Sequence, residues 1–111
     1  MSRLPNAELA YVPMEKLVNY ALSKNHPVGK HKAVVFETVL GITAEDAEFL
    51  RDKILEAVLV NDAAPTRRDV FGSRFQVEFD LERDGRVACI ITAWILETDE
   101  ISPRMTTCYI K

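Results

Sequence analysis

The chain has 111 residues, 48% hydrophobic and 28% charged, with 14 Lys and Arg against 17 Asp and Glu for a formal charge of −3. That length and balance predict one folded domain over residues 1–111 and exclude a disordered segment, a long repeat array and a polycation that coats nucleic acid indiscriminately. Any basic site has to be local.

No apolar run approaches the ~20 residues needed to span a bilayer, and Met1-Ser2-Arg3-Leu4-Pro5-Asn6 lacks the hydrophobic stretch of a signal peptide. No membrane partner is expected, and the expected location is the cytoplasm. Cys89 and Cys108 are flanked by strand-like apolar residues, which predicts reduced thiols rather than a disulfide. Two isolated cysteines do not make a zinc site, and neither a metal nor a cofactor is expected.

The first half reads at helical period and the second at period two. The expected class is therefore α+β, with N-terminal helices packed on one face of a C-terminal antiparallel sheet of three to four strands. Pro13 suits the first turn of a helix carrying Leu17, Val18, Ala21 and Leu22, which should end near Asn25 because Pro27 disfavours α geometry at His26. A second helix is predicted from about Lys30 to Leu40, presenting Val34, Val35, Val39 and Leu40 to the core and stopping at Gly41. Thr43 is the expected N-cap of a third, with acids in its first turn and Ala47, Leu50, Ile54, Ala57 and Val58 at three- and four-residue spacing. Its acidic residues read as a solvated face.

After a linker at Asn61-Asp62-Ala63-Ala64-Pro65, Phe75, Val77, Phe79 and Leu81 alternate with Arg74, Gln76, Glu78 and Asp80, the pattern of a one-sided strand. Asp84-Gly85 marks a hairpin. A three-residue loop would set Phe79 beside Cys89, Val77 beside Ile91 and Phe75 beside Ala93. A two-residue loop would oppose Asp80 to Cys89 and Glu78 to Ile91. The uniformly apolar pairing favours the three-residue loop and turns Thr92 and Trp94 away from the core, beside Arg74. A last strand from about Arg104 to Ile110, with Thr107 and Tyr109 outward, and a short edge strand near Arg67 to Val70 complete a meander.

Chemistry concentrates at His26-Pro27-Val28-Gly29-Lys30-His31-Lys32, where two imidazoles and two lysines share a bend. No Asp or Glu occurs between Glu15 and Glu37, so the bend is a positive patch on an acidic protein, placed where the second helix begins and where an anion would be favoured. The alternative is a solvated loop. A metal site there is disfavoured by the five-residue spacing of the histidines and the lack of nearby acidic or thiol ligands. Trp94 on an outer sheet face would stack on a base, with Arg74 and Thr92 beside it, or else cover the sheet under a loop or a dimer partner. No Gly-rich phosphate loop or nucleophile elbow is present.

Leu4-Pro5-Asn6-Ala7, His26-Pro27-Val28-Gly29-Lys30-His31-Lys32-Ala33 with Phe36, Thr92-Ala93-Trp94-Ile95, and Pro103-Arg104 followed by Thr107-Cys108-Tyr109 resemble, over nearly the whole chain, an uncharacterised bacterial domain-of-unknown-function family. Its members resemble small stand-alone proteins and modules of polymorphic toxins. A looser, fold-level resemblance is to the metal-independent ribonuclease toxins, with RelE-like, colicin-like and barnase-like folds. That resemblance implies RNA cleavage by attack of a 2′-hydroxyl on the adjacent phosphate. His31 would be the principal acid/base residue, His26 its partner and Lys32 a third catalytic group. Lys30, Arg74, Arg104, Thr92 and Thr107 would hold phosphate, and Trp94 a base. The competing expectation is a non-catalytic module, either antitoxin- or immunity-like or a homodimer, which the net acidity favours.

Overall fold

The computed structural model describes residues 2–111. After a 3-10 turn at Ala7–Leu9, helix α1 (Met14–Lys16) passes into a π-helical stretch over Leu17–Ala21. Widening the turn, with Leu22 N–H reaching the Leu17 carbonyl, keeps Leu17, Ala21 and Leu22 buried while rotating Val18 outward. The stretch ends at Ala21, short of the predicted Asn25. Gly29 then folds back so closely that a Cβ there would lie 2.2 Å from the Tyr20 carbonyl oxygen.

Helix α2 (Lys30–Leu40) has the predicted bounds and ends at left-handed Gly41, where the N–H groups of Gly41 and Ile42 take up the Glu37 and Phe36 carbonyls. Its inward stripe is Ala33, Phe36 and Leu40, and Val34, Val35 and Val39 are exposed. The helix is rotated from the expected setting because the Phe36 ring, with more area to bury, takes the core position. Helix α3 (Ala47–Val60) follows a 3-10 turn at Ala44–Asp46 and buries the five predicted residues. Thr43 and Asp46 form a capping box, and Arg83 binds both Asp46, at 3.0 Å, and the Gly41 carbonyl, at 2.8 Å.

Four antiparallel strands lie in the order β1-β2-β3-β4: β1 (Ala63–Asp69), β2 (Gly72–Arg83), β3 (Arg86–Glu97) and β4 (Arg104–Ile110). β1 begins inside the predicted linker, its Ala63 N–H bound to the Ser2 carbonyl. The β2–β3 register corrects the sequence reading. Asp80 opposes Cys89 and Glu78 opposes Ile91, with Arg83 opposite Arg86 closing a two-residue loop. Asp84 and Gly85 both have positive φ, 52° and 81°, the pattern of a type I′ turn whose twist matches the strands. The pairs on the helix-covered face are consequently Phe75–Trp94, Val77–Thr92, Phe79–Ile90 and Leu81–Ala88.

Phe36, Leu40, Leu50, Ile54, Val77, Phe79, Ile90, Trp94, Met105 and Cys108 form one core between helices and sheet. Trp94 and Thr92 are fully enclosed there: the indole Nε1–H donates to Thr92 Oγ1 at 2.8 Å, and that hydroxyl donates to the Val77 carbonyl at 2.9 Å. Both cysteines are free thiols. The Tyr11 backbone runs along the start of β4, exchanging hydrogen bonds with Pro103 and Met105. A bulge at Thr106 separates the Ala93–Thr107 pair from Trp94–Met105. No helix among the described residues is long and apolar enough to cross a membrane.

Candidate functional site at the β4 edge

The bend before α2 is held by its own histidine. His26 Nδ1 accepts the N–H groups of Val28 and Gly29, both at 3.0 Å, so the ring carries its proton on Nε2 and only that nitrogen is open to a ligand. The ring stands edge-on to Tyr20, with centroids 4.7 Å apart. Lys30 and His31, in the first turn of α2, are exposed.

Lys32 points the other way, to the edge of β4. Its Nζ lies 3.1 Å from Thr107 Oγ1 and 3.3 Å from the Tyr20 hydroxyl, and 4.9 and 5.1 Å from the ring centroids of Tyr20 and Tyr109. Two hydroxyls and two aromatic faces thus surround a half-buried ammonium that makes no ion pair among the described residues. Its field reaches inward: burial pushes the Cys108 thiol up to about 12, with Lys32 pulling weakly against that shift. The bend and the last strand, 75 residues apart, are joined through this one side chain.

The structure therefore brings His26, Lys32 and Thr107 together through Tyr20, while Lys30 and His31 are exposed in the first turn of α2. It separates the remaining predicted residues. Thr92 and Trp94 are in the core and touch no surface ligand, because the I′ hairpin reverses the face they were assigned. Arg74 and Arg104 lie on the helix-free face, bound to Asp69 at 3.1 Å and Glu97 at 2.7 Å. Partial burial raises the Asp69 carboxyl, but the Phe71 N–H and then Arg74 outweigh it and hold the group below the usual carboxylate range. Tyr20 is the residue the sequence reading missed, since a tyrosine in a helical segment carries no signal until the bend folds over it. Tyr109 was placed outward without a role. No group of three or more potential metal-ligating His, Cys, Asp or Glu side chains occurs among the described residues.

Fold and site define a small α+β domain with a cationic, hydroxyl-lined cluster where a helix-entry bend meets the last strand. The chain belongs to the DUF6883 family, a domain of unknown function matched over residues 3–111. A solved structure described as a contact-dependent growth inhibition toxin–immunity protein complex from Klebsiella pneumoniae 342 contains a similar chain, with 16% identity, a TM-score of 0.68, and coverage of 95% of this chain and 96% of that one. At that identity the likeness establishes a shared fold. No curated protein matches the sequence.

Proposed function

We propose that this domain is a metal-independent endoribonuclease of toxin type, cleaving RNA by 2′-hydroxyl transesterification at the β4-edge cluster. The carrying observation is the Lys32 ammonium, held by Tyr20 and Thr107 with no carboxylate partner among the described residues. Such a cation, fixed beside hydroxyls, suits the charge that grows on phosphorus. The fold shared with a chain of a toxin–immunity complex supports the reading.

In this scheme His31 takes the 2′-hydroxyl proton, the 2′ oxygen attacks phosphorus, and the bond to the 5′ oxygen breaks. The Tyr20 hydroxyl accepts from Lys32, so its own proton is free for the leaving oxygen. Thr107 and Lys30 orient phosphate, and His26 positions the Tyr20 ring. The products are a 2′,3′-cyclic phosphate and a 5′-hydroxyl. Incubation with end-labelled RNA in EDTA should yield cyclic-phosphate ends, with Lys32→Met or His31→Ala slowing cleavage at least ~10²-fold at unchanged circular dichroism. Unchanged turnover in both folded variants removes the scheme.

The second reading is a non-catalytic interaction module, of immunity or antitoxin type or a homodimer. It is favoured by Val70 and Phe71, which occupy the two-residue β1–β2 turn at 87% and 67% exposure. Intact RNA in that assay, together with a stable complex in light scattering, selects it.

A further inference from the structure

The helix-free face of the sheet carries an arrangement that the cleavage scheme does not use. Arg67 on β1 opposes Arg74 on β2, Arg74 opposes Ile95 on β3, and Ile95 opposes Arg104 on β4. One transverse row therefore presents three guanidiniums across the full width of the sheet, with a single isoleucine between them. Ile95 is only 3% exposed although its side chain points away from the helices. Its cross-strand neighbours on that face are Arg74 and Arg104, and aliphatic stems of that length can shield it. Guanidiniums anchored by packed stems lose little freedom on taking a ligand.

Two carboxylates are shared by these three cations. Asp69 takes Arg67 at 3.2 Å and Arg74 at 3.1 Å, and Glu97 takes Arg104 at 2.7 Å. The row keeps an excess positive charge, and solvent-accessible pairs of this kind are weak enough for phosphate oxygens to displace. The adjoining row holds Gln76, Ala93 and Thr107, and Thr107 is the hydroxyl bound to Lys32. The arginine row thus adjoins the row that ends at the proposed cleavage site. Tyr109, two residues beyond Thr107 on the same face, offers a ring for stacking.

We infer that this face is the substrate track: Arg67, Arg74 and Arg104 hold successive phosphates of single-stranded RNA leading to the Lys32 cluster. Guanidinium–phosphate contacts position a strand without reading its sequence, so selectivity for a target has to arise elsewhere. The inference rests on the RNA-cleaving reading, yet binding can be measured without turnover.

A chain made inactive by His31→Ala is titrated with a short fluorescent oligouridine over a range of salt, with and without Arg67→Ala and Arg104→Ala together. Loss of two phosphate contacts should flatten the slope of log affinity against log salt by about 1.4. An unchanged slope in the folded double variant overturns the track, even if the wild-type chain cleaves RNA. Arginine-dependent binding by a chain that never cleaves leaves the track standing and removes the nuclease reading. If the double variant instead loses an acidic protein partner and keeps its RNA affinity, the row is a protein interface and the inference falls.

Discussion

Thr92 is enclosed beneath the helices with its hydroxyl fully used, accepting from the indole of Trp94 and donating to the Val77 carbonyl. Thr92→Val keeps the shape and strands a buried N–H and a carbonyl, which should cost ~1–3 kcal/mol in urea unfolding at unchanged m-value. Thr92→Ser should recover most of that loss. Chemistry alone did not distinguish this threonine from Thr107, a similar residue that meets Lys32 at the surface. Only the strand register assigns one to the core and the other to the site. The same parity explains why Trp94 read as a base-stacking ring when it is the largest fully buried side chain. By contrast the bend that holds His26 and Lys32 was legible as a positive patch, because charge without acids between Glu15 and Glu37 is a local property of the sequence, whereas the meeting of Lys32 with Thr107, 75 residues away, was not.

At the scale of elements, α3 was readable in full: a capping residue, acids in the first turn and a regular apolar stripe agree with one another. α2 was readable in its bounds, but not in its facing, since valines lie on several sides of it and Phe36 decided which side packed. β3 failed for a related reason. Ile90, Thr92 and Trp94 face the helices, yet Ile91 and Ile95 on the reverse are nearly as buried, so apolar pattern gave no parity and the turn had to supply it. Asp-Gly is the preferred I′ pair, and that preference was the stronger signal. The β1–β2 turn depends on Gly72, at φ 148°, where an added Cβ would lie 2.2 Å from the Leu96 carbonyl oxygen. Gly72→Ala should destabilise the fold by ~1–3 kcal/mol. It should also speed amide exchange at Thr98, whose N–H is bound to the Phe71 carbonyl.

For the molecule as a whole, acid sensitivity has an identifiable source. The Thr43 N–H, then the Arg83 guanidinium, hold the Asp46 carboxyl below its ordinary value, and Asp69 is shifted in the same direction. A carboxyl whose pKa is lower folded than unfolded binds more protons when unfolded. Its stabilisation is therefore complete above the unfolded value of about 4 and lost as pH falls through the folded one. Urea midpoints should drop as pH falls below about 4, and Asp46→Asn should lower the neutral-pH midpoint while flattening that drop. An equally steep drop in Asp46→Asn would place the acid response elsewhere.

Both margins of the sheet are interrupted. Tyr11 occupies the first part of one, and at the other Pro65, the irregular pairing beside it, and the exposed Arg67 and Arg68 interrupt the row of free amides. Copies of the domain are thereby discouraged from adding strand to strand into fibres, even when crowded. Any assembly they enter is left to use the broad surfaces of the molecule or its projecting Val70–Phe71 tip.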